Sequence, residues 1–263
     1  MRVLRFTPKP GGELGNDPLF GLLEDDEKTI SIVNGDPLFN GIQKSGQLTS
    51  LDEVRLLAPV LPRSKVVCIG KNYSEHAKEM GGEVPAEPII FLKPNTSVAG
   101  PGDVINWPWM SERVDHEAEL AIVIGRICKD VPRERASEVI FGYTIGNDVT
   151  ARDLQSRDGQ WTRAKGFDTF CPLGPWIDTE FVPGNQEISC VVNGEVKQKA
   201  TLNQMMFGVD EIIHFVSSVM TLLPGDVILT GTPAGIGPIP EKGTVTCAIS
   251  GLGELTNKLS ARG

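Results

Sequence analysis

Long apolar runs are missing from this sequence. Nowhere does it approach the roughly 20 apolar residues that a membrane-spanning helix needs, and its first residues, MRVLRFTPKPGG, lack the apolar core of a secretory signal. An excess of cations is missing too. With 25 Lys and Arg against 34 Asp and Glu the formal net charge is −9, which argues against nucleic acid or an anionic membrane surface as the main partner. Any anionic substrate must then be held by local cations. Cysteine is sparse and unpatterned: Cys68, Cys128, Cys171, Cys190 and Cys247 are odd in number and form no C-x-x-C pair. They are expected to be reduced core residues of a soluble, cytoplasmic protein. No segment carries the Gly-Lys-Ser/Thr ending of a phosphate loop, GTPAGIG included, and no G-x-G-x-x-G follows a strand, so nucleotide binding is not expected. No internal repeat or heptad is present, which excludes solenoids and coiled coils. The aromatic segment NWPWM has no basic residues around it and reads as packing or a pocket wall rather than a base-stacking platform.

What is present is punctuation. The 29 Gly and 19 Pro among 263 residues point to many short strands joined by tight turns, and the length suffices for one large domain or a large domain with a small partner. RVLRF, LFGLLE and TISIV read as short strands before a boundary near residue 60, at LLAPVLPRSK, dividing residues 1–60 from residues 61–263. VVCIG is a buried strand, and NYSEHAKEM a short helical, lid-like segment that Gly81 and Gly82 allow to move. EISCVVNGEVKQKA is a hairpin, because Asn193-Gly194 suits a type I′ turn. Val209 to Leu223 has helical spacing and is stopped by Pro224-Gly225; the strands DVILTGT and TVTCAIS follow.

The chemistry starts at VDHEAELAIVIG. Glu117 and Glu119 stand two apart at the mouth of an apolar run, so strand alternation points both the same way, with His116, Ala118 and Leu120 on the other face. Unpaired carboxylates at the buried end of a strand are costly, and a divalent cation offsets that cost. In FGYTIGNDVTARDLQ the strand breaks at Asn147-Asp148, which places Asp148 at a strand end and lets Thr150 cap a short helix beginning at Ala151. Three carboxylates without thiolates make a hard, oxygen-only site suited to Mg²⁺ or Mn²⁺ rather than zinc. The competing reading is surface acids or an ion pair with Arg152 or Arg113. His76 and Glu79, three apart on a helical turn, share a face, so the carboxylate can orient the imidazole and raise its basicity; the alternative is an exposed ion pair. Lys165, among Trp161, Phe167 and Phe170, is placed where desolvation could lower its pKa, which would also permit a Schiff base with a pyruvoyl carbonyl. His116 faces away from the carboxylates and His214 sits mid-helix, so both are expected to be structural.

Taken in order, GKNYSEHAKEM, PIIFLKPNTSVAGPGD, VDHEAELAIVIG, GYTIGNDVTARDLQ, RAKGFDTFCPLGPW and LPGDVILTGTPAGIG resemble the fumarylacetoacetate hydrolase family over about residues 60 to 263. The N-terminal part resembles the small domain of bacterial members of its isomerase/decarboxylase branch. The resemblance implies an α+β, β-rich fold: a rolled mixed β-structure behind a small β-containing N-terminal domain, usually as a homodimer. It implies that Glu117, Glu119 and Asp148 hold Mg²⁺ or Mn²⁺, and that Lys165 and Gln155 approach a bound 2-oxo acid. Thr232 of TGTPAG, with neighbouring backbone amides, would grip the substrate carboxylate, Arg152 would orient the site, and His76 and Glu79 would form a dyad on a mobile lid. The expected activity is a metal-dependent lyase or hydrolase acting on a short 2-oxo dicarboxylate or acylpyruvate through a pyruvate enolate. Oxaloacetate decarboxylation ranks ahead of acylpyruvate C–C hydrolysis and of 2-hydroxyhepta-2,4-diene-1,7-dioate isomerisation. A vestigial 2-oxo acid binding protein is the non-enzymatic alternative.

Overall fold

The computed structural model describes residues 1–11, 14–79, 81 and 84–262. Strands dominate. The large mixed sheet runs in the order Lys44–Ser50, Thr29–Val33, Leu19–Leu23, Arg2–Pro8, Cys171–Asp178, Ile140–Asn147, Ala118–Ile124, Val227–Leu229, Val66–Gly70 and Ile89–Lys93. Val54–Leu57 pairs with the strand Arg2–Pro8, and Val98–Ala99 pairs with Cys171–Asp178. Residues 1–60 are thus joined to the rest by hydrogen bonds: Arg2 lies opposite Asp178 and Val3 opposite Ile177. Val33 and Leu22, near one end of the strand order, share a buried cluster with Val66 and Cys68 near the other. The cluster passes from strand to strand through Val3, Leu173, Ala121 and Leu229 along one face of the sheet, and the β-rich, mixed sheets are those of the fold expected.

Alternation along Ala118–Ile124 assigns the two faces of the sheet. Ala121 and Val123 enter the inner cluster with Cys68, Cys171, Leu173 and Leu229. Ala118 and Leu120 face a second core shared with a five-stranded sheet (Glu195–Thr201, Glu187–Val192, Thr244–Ile249, Gly253–Leu259, Val104–Ile105). Ile122 and Ile124 pack with Ile212, Ile213 and Val216 of the helix Val209–Val219. Glu119 has the parity of Ala121 and Val123, so it points to the side of that cluster, where only a compensated charge is tolerated.

The expected hairpin is present: Asn193 and Gly194, both at positive φ (50° and 83°), join Glu187–Val192 to Glu195–Thr201. Two expectations on helix ends are corrected. The helix from Val209 ends at Val219 rather than Leu223, because Met220 already has extended backbone angles. The helix Arg152–Asp158 starts after Ala151 with no side-chain cap. Thr150 lies instead in a two-residue strand, and its hydroxyl donates to the Asp148 carbonyl at 2.8 Å. All five cysteines are free and buried. No helix among the described residues is long and apolar enough to cross a membrane.

Candidate active site

Antiparallel register brings the three carboxylates together. Ala118 faces Asn147 and Glu119 faces Gly146, so Asp148 emerges beside Glu117 as the two strands run out. The junction is stitched: Glu117 N–H donates to Asn147 Oδ1 at 3.0 Å, and Asp148 N–H to the Glu117 carbonyl at 2.9 Å. Oxygens of Glu117, Glu119 and Asp148 lie within 4.8 Å of one another, all three side chains buried.

Cations surround two of these carboxylates and leave the third. Lys165, from the short helix Thr162–Lys165, donates to Glu117 Oε2 at 2.9 Å and to Asp148 Oδ2 at 2.6 Å. Arg152 pairs with the other oxygen of Glu117 and, through Nε, with Asp115 at 2.9 Å; Asp115 is held in turn by Arg113 at 2.8 Å. Of the two expected ion pairs, that with Arg152 exists alongside the carboxylate cluster rather than instead of it, whereas Arg113 pairs with Asp115 and with none of the three carboxylates. Lys93 pairs with Asp148 and donates to the Val149 carbonyl at 3.1 Å. Among the described residues Glu119 receives only the Gly231 N–H, at 2.6 Å. Gly231 has φ +96°, and a Cβ there would stand 2.6 Å from that of Asn72, so this close approach of the backbone needs glycine.

The electrostatics follow that distribution. Burial alone would raise the Glu117 carboxyl, but Lys165 and Arg152 outweigh it and hold it well below the usual carboxylate range. Glu119 goes the other way: burial, then the charges of Asp148 and Glu117, push it well up. Burial would likewise lower Lys165, yet Asp148 and Glu117 overcome it and raise it. This corrects the expectation of a depressed lysine pKa. Lys165 remains an ammonium ion, which favours an electrostatic role over Schiff-base nucleophilicity.

The set fits a hard divalent cation. Its donors are oxygens only, all buried, and burial together with the charges of Asp148 and Glu117 raises the Glu119 carboxyl, a cost that a bound cation would offset. Glu117, Glu119 and Asp148 are the residues that could hold the ion.

Eight of the nine expected site residues line one cavity: Glu117, Glu119, Asp148, Lys165, Arg152, Gln155, Thr232 and His76, walled by Phe91 and Trp161. It measures about 30 Å³ in this arrangement, room for one or two waters but not for a dicarboxylate. Glu79 stands behind His76, its Oε2 3.2 Å from His76 Nδ1, and accepts from Gly235 N–H at 3.1 Å. The lid helix Ser74–Glu79 is thus docked over the cavity by its own dyad. Gly81 has φ +68°; Gly82, the other residue of the expected hinge, lies outside the described residues. Arg152 Nη1 donates to Gln155 Oε1, 2.5 Å away and one helical turn on. The Thr232 hydroxyl donates to the Ala118 carbonyl at 2.8 Å.

His116 and His214 contact structural partners, Gln198 Oε1 at 3.1 Å and the Val131 carbonyl at 2.8 Å. Trp107 of NWPWM packs against the core and donates to the Ser111 carbonyl, whereas Trp109 is exposed, and neither lines the cavity. Three participants carried no expected role: Lys93, Gln198 and the Gly231 N–H. The one available signal was a lysine ending the strand IIFLK, where a buried charge needs a partner.

The β-rich fold with mixed sheets agrees with the comparisons to known proteins. The chain belongs to the fumarylacetoacetate hydrolase family: residues 65–260 match the model for the fumarylacetoacetate (FAA) hydrolase C-terminal domain. Residues 1–59 match an Rv2993c-like N-terminal model. Protein Rv2993c of Mycobacterium tuberculosis is 56% identical, covering 100% of this chain and 99% of its own. A mitochondrial oxaloacetate tautomerase of Rattus norvegicus is 45% identical over 79% of this chain and 70% of its own. Among solved structures, a 2-hydroxyhepta-2,4-diene-1,7-dioate isomerase from Mycobacterium marinum superposes with TM-score 0.89 at 48% identity, covering 100% of this chain and 99% of that one. A fumarylpyruvate hydrolase from Pseudomonas aeruginosa, in complex with Mn²⁺ and pyruvate, does so with TM-score 0.73 at 33% identity, covering 82% and 94%.

Proposed function

We propose that this chain is a Mg²⁺- or Mn²⁺-dependent enzyme that moves a proton between the enol and keto forms of a short 2-oxo dicarboxylate of the oxaloacetate class. The observation that carries the reading is the His76–Glu79 dyad held over the Glu117, Glu119 and Asp148 cluster beside a buried Lys165 ammonium. Mg²⁺ or Mn²⁺, when bound by the three carboxylates, supplies Lewis-acid polarisation of the keto oxygen.

The chain's own residues account for the rest. Lys165 stabilises the negative charge of the enolate, an interaction that gains strength in a dry site. His76 takes the proton from the carbon next to the keto group, or returns it, as general base and acid. Glu79 holds its Nδ1 and stabilises the imidazolium formed on the way. The Thr232 hydroxyl proton is committed to Ala118, so the grip on the substrate carboxylate falls to the Thr232 N–H, which makes no hydrogen bond among the described residues. Arg152 holds Gln155 and Glu117 in place from the side, and Gln155 presents its amide to the substrate. Because the docked lid leaves too little room, the substrate enters when the helix Ser74–Glu79 lifts, and closure expels water.

Decarboxylation of oxaloacetate, ranked first from sequence, is the second reading. Lys165 favours it, since the same buried ammonium stabilises the enolate left when CO₂ departs and no base is needed. A panel assay with Mn²⁺ separates these outcomes. Proton transfer is followed by enol absorbance on oxaloacetate, decarboxylation by CO₂ release, and C–C hydrolysis by pyruvate release from acetylpyruvate and fumarylpyruvate. Enol–keto conversion is expected to be the fastest; pyruvate release from an acylpyruvate outpacing both other reactions would replace this reading with hydrolysis. The reading includes a homodimer, which sedimentation of the full chain checks.

A further inference from the structure

Behind the Thr232 loop lies a side chain that neither the carboxylates nor the lid explain. Gln198 is the one fully buried residue of the strand Glu195–Thr201, between the exposed Lys197 and Lys199. Its amide is saturated. Oε1 accepts from Ala118 N–H at 3.0 Å and faces His116 Nδ1 at 3.1 Å. Nε2 donates to the Pro233 carbonyl and to Thr232 Oγ1, both at 2.7 Å. The two backbone partners fix the orientation of the amide, because an N–H only donates and a carbonyl only accepts. His116 must therefore carry its proton on Nδ1, and Thr232, receiving a proton from Gln198, passes its own to the Ala118 carbonyl.

The result is a closed ring of hydrogen bonds through Gln198, Thr232 and Ala118, and Ala118 sits between Glu117 and Glu119. The same strand supports the loop further along. Gly235, at φ +96°, lies so near that a Cβ there would stand 2.0 Å from the Lys197 carbonyl oxygen. On its other side the loop receives the lid, through Gly235 N–H to Glu79. The loop is thus clamped between the strand behind it and the lid in front; Gly231 N–H ties its start to Glu119, and the Gln198 amide fixes the Thr232–Pro233 turn that follows.

We propose that Gln198 is a positioning residue for this site: without touching the substrate, it fixes the Thr232–Pro233 turn on the Glu117–Glu119 segment and so sets where the substrate carboxylate lies relative to the triad. The inference rests on the reading of the cavity as a 2-oxo acid site. Glu117 and Glu119 have their own supports in Arg152, Lys165 and Gly231, so loss of the clamp moves the gripping loop more than the ligand set.

The test uses the full chain with Gln198→Met, which keeps length and removes every hydrogen bond, and Gln198→Glu, which sets a carboxylate oxygen against the Pro233 carbonyl. Thr232→Val, which opens the same ring from its other side, replaces Gln198→Met if that variant does not fold. Readouts are Mn²⁺ affinity, affinity for oxalate in the presence of Mn²⁺, and KM and kcat on oxaloacetate. Gln198→Met is expected to raise KM and weaken oxalate by about tenfold, with kcat and Mn²⁺ affinity within about threefold, and Gln198→Glu to do worse. Oxalate affinity and KM within about twofold of wild type, or a parallel loss of kcat and Mn²⁺ affinity at unchanged KM, overturns the proposal. A wild-type chain that binds Mn²⁺ but neither oxalate nor oxaloacetate overturns the underlying reading, and the clamp with it.

Discussion

The floor of the cavity and its lid are built on opposite terms. The floor consists of buried side chains whose partners come from five separate segments: Lys93, Glu117 with Glu119, Asp148 with Arg152, Lys165, and Gly231. It is rigid because each charge answers another, apart from Glu119. The lid is a six-residue helix that meets the loop over the cavity through Glu79 and Gly235 N–H. A helix that short has little stability of its own, so it depends on its packing, with His76 and Ala77 buried, for its place. On the proposed reading the difference divides the functions: charge is stored in the floor, and proton movement and access are assigned to the helix above it.

Substitutions in the floor are expected to strike every reaction, and those in the lid only the proton-transfer step. The largest effect is expected at Glu119. Glu119→Gln removes a ligand and should abolish Mn²⁺ binding by calorimetry together with all turnover; at the same time it removes a carboxyl that must take up a proton on folding and should raise the melting temperature of the metal-free chain above the ordinary carboxylate range. Lys165→Met comes next. Turnover should fall by about 10² or more, the scale of losing one preorganised electrostatic group, while Mn²⁺ affinity stays or tightens, because the lysine now competes for Glu117 and Asp148. Weaker Mn²⁺ binding in this variant would mean that Lys165 organises the ligands instead of opposing the ion.

In the lid, His76→Gln should slow enol–keto conversion by about 10² to 10⁴ and leave Mn²⁺ affinity and CO₂ release from oxaloacetate nearly unchanged. Equal losses in both reactions would erase the division between floor and lid. The smallest effect is on stability against pH. The Glu119 carboxyl is raised in the folded, metal-free chain, so the folded state holds a proton that the unfolded state gives up. Its contribution is therefore present below the ordinary carboxylate range and is lost as pH rises toward the raised value. The melting temperature of metal-free wild type should drop relative to Glu119→Gln over that interval, and saturating Mn²⁺ should remove the difference.

Much of the floor was legible in the sequence, and the reason is local. Glu119 lies on the strand Ala118–Ile124 with Glu117 in the break just before it, where one unbroken strand was expected; Asp148 follows a strand end, and His76 and Glu79 share a helical turn; each relation spans a few residues. What stayed hidden depends on segments far apart in the chain. Gln198 reaches Ala118 across 80 positions, and Gly231 reaches Glu119 across 112. Lys165 was misjudged for the same reason: its neighbours in sequence, Trp161, Phe167 and Phe170, are apolar, while the carboxylates that raise it arrive from 48 and 17 residues away. Thr150 does not cap because the helix begins at Arg152, which puts Ala151, with no side-chain acceptor, at the cap position.

The central claim is that the triad binds a divalent cation at a carboxyl, Glu119, that holds its proton more tightly without the ion. Calorimetric titration of the metal-free chain with Mn²⁺, in two buffers of different ionisation enthalpy, tests this directly. The account predicts one ion per chain with proton release at Glu119, hence a heat that depends on the buffer, and no binding by Glu119→Gln. Binding without proton release, or undiminished binding by that variant, would contradict it.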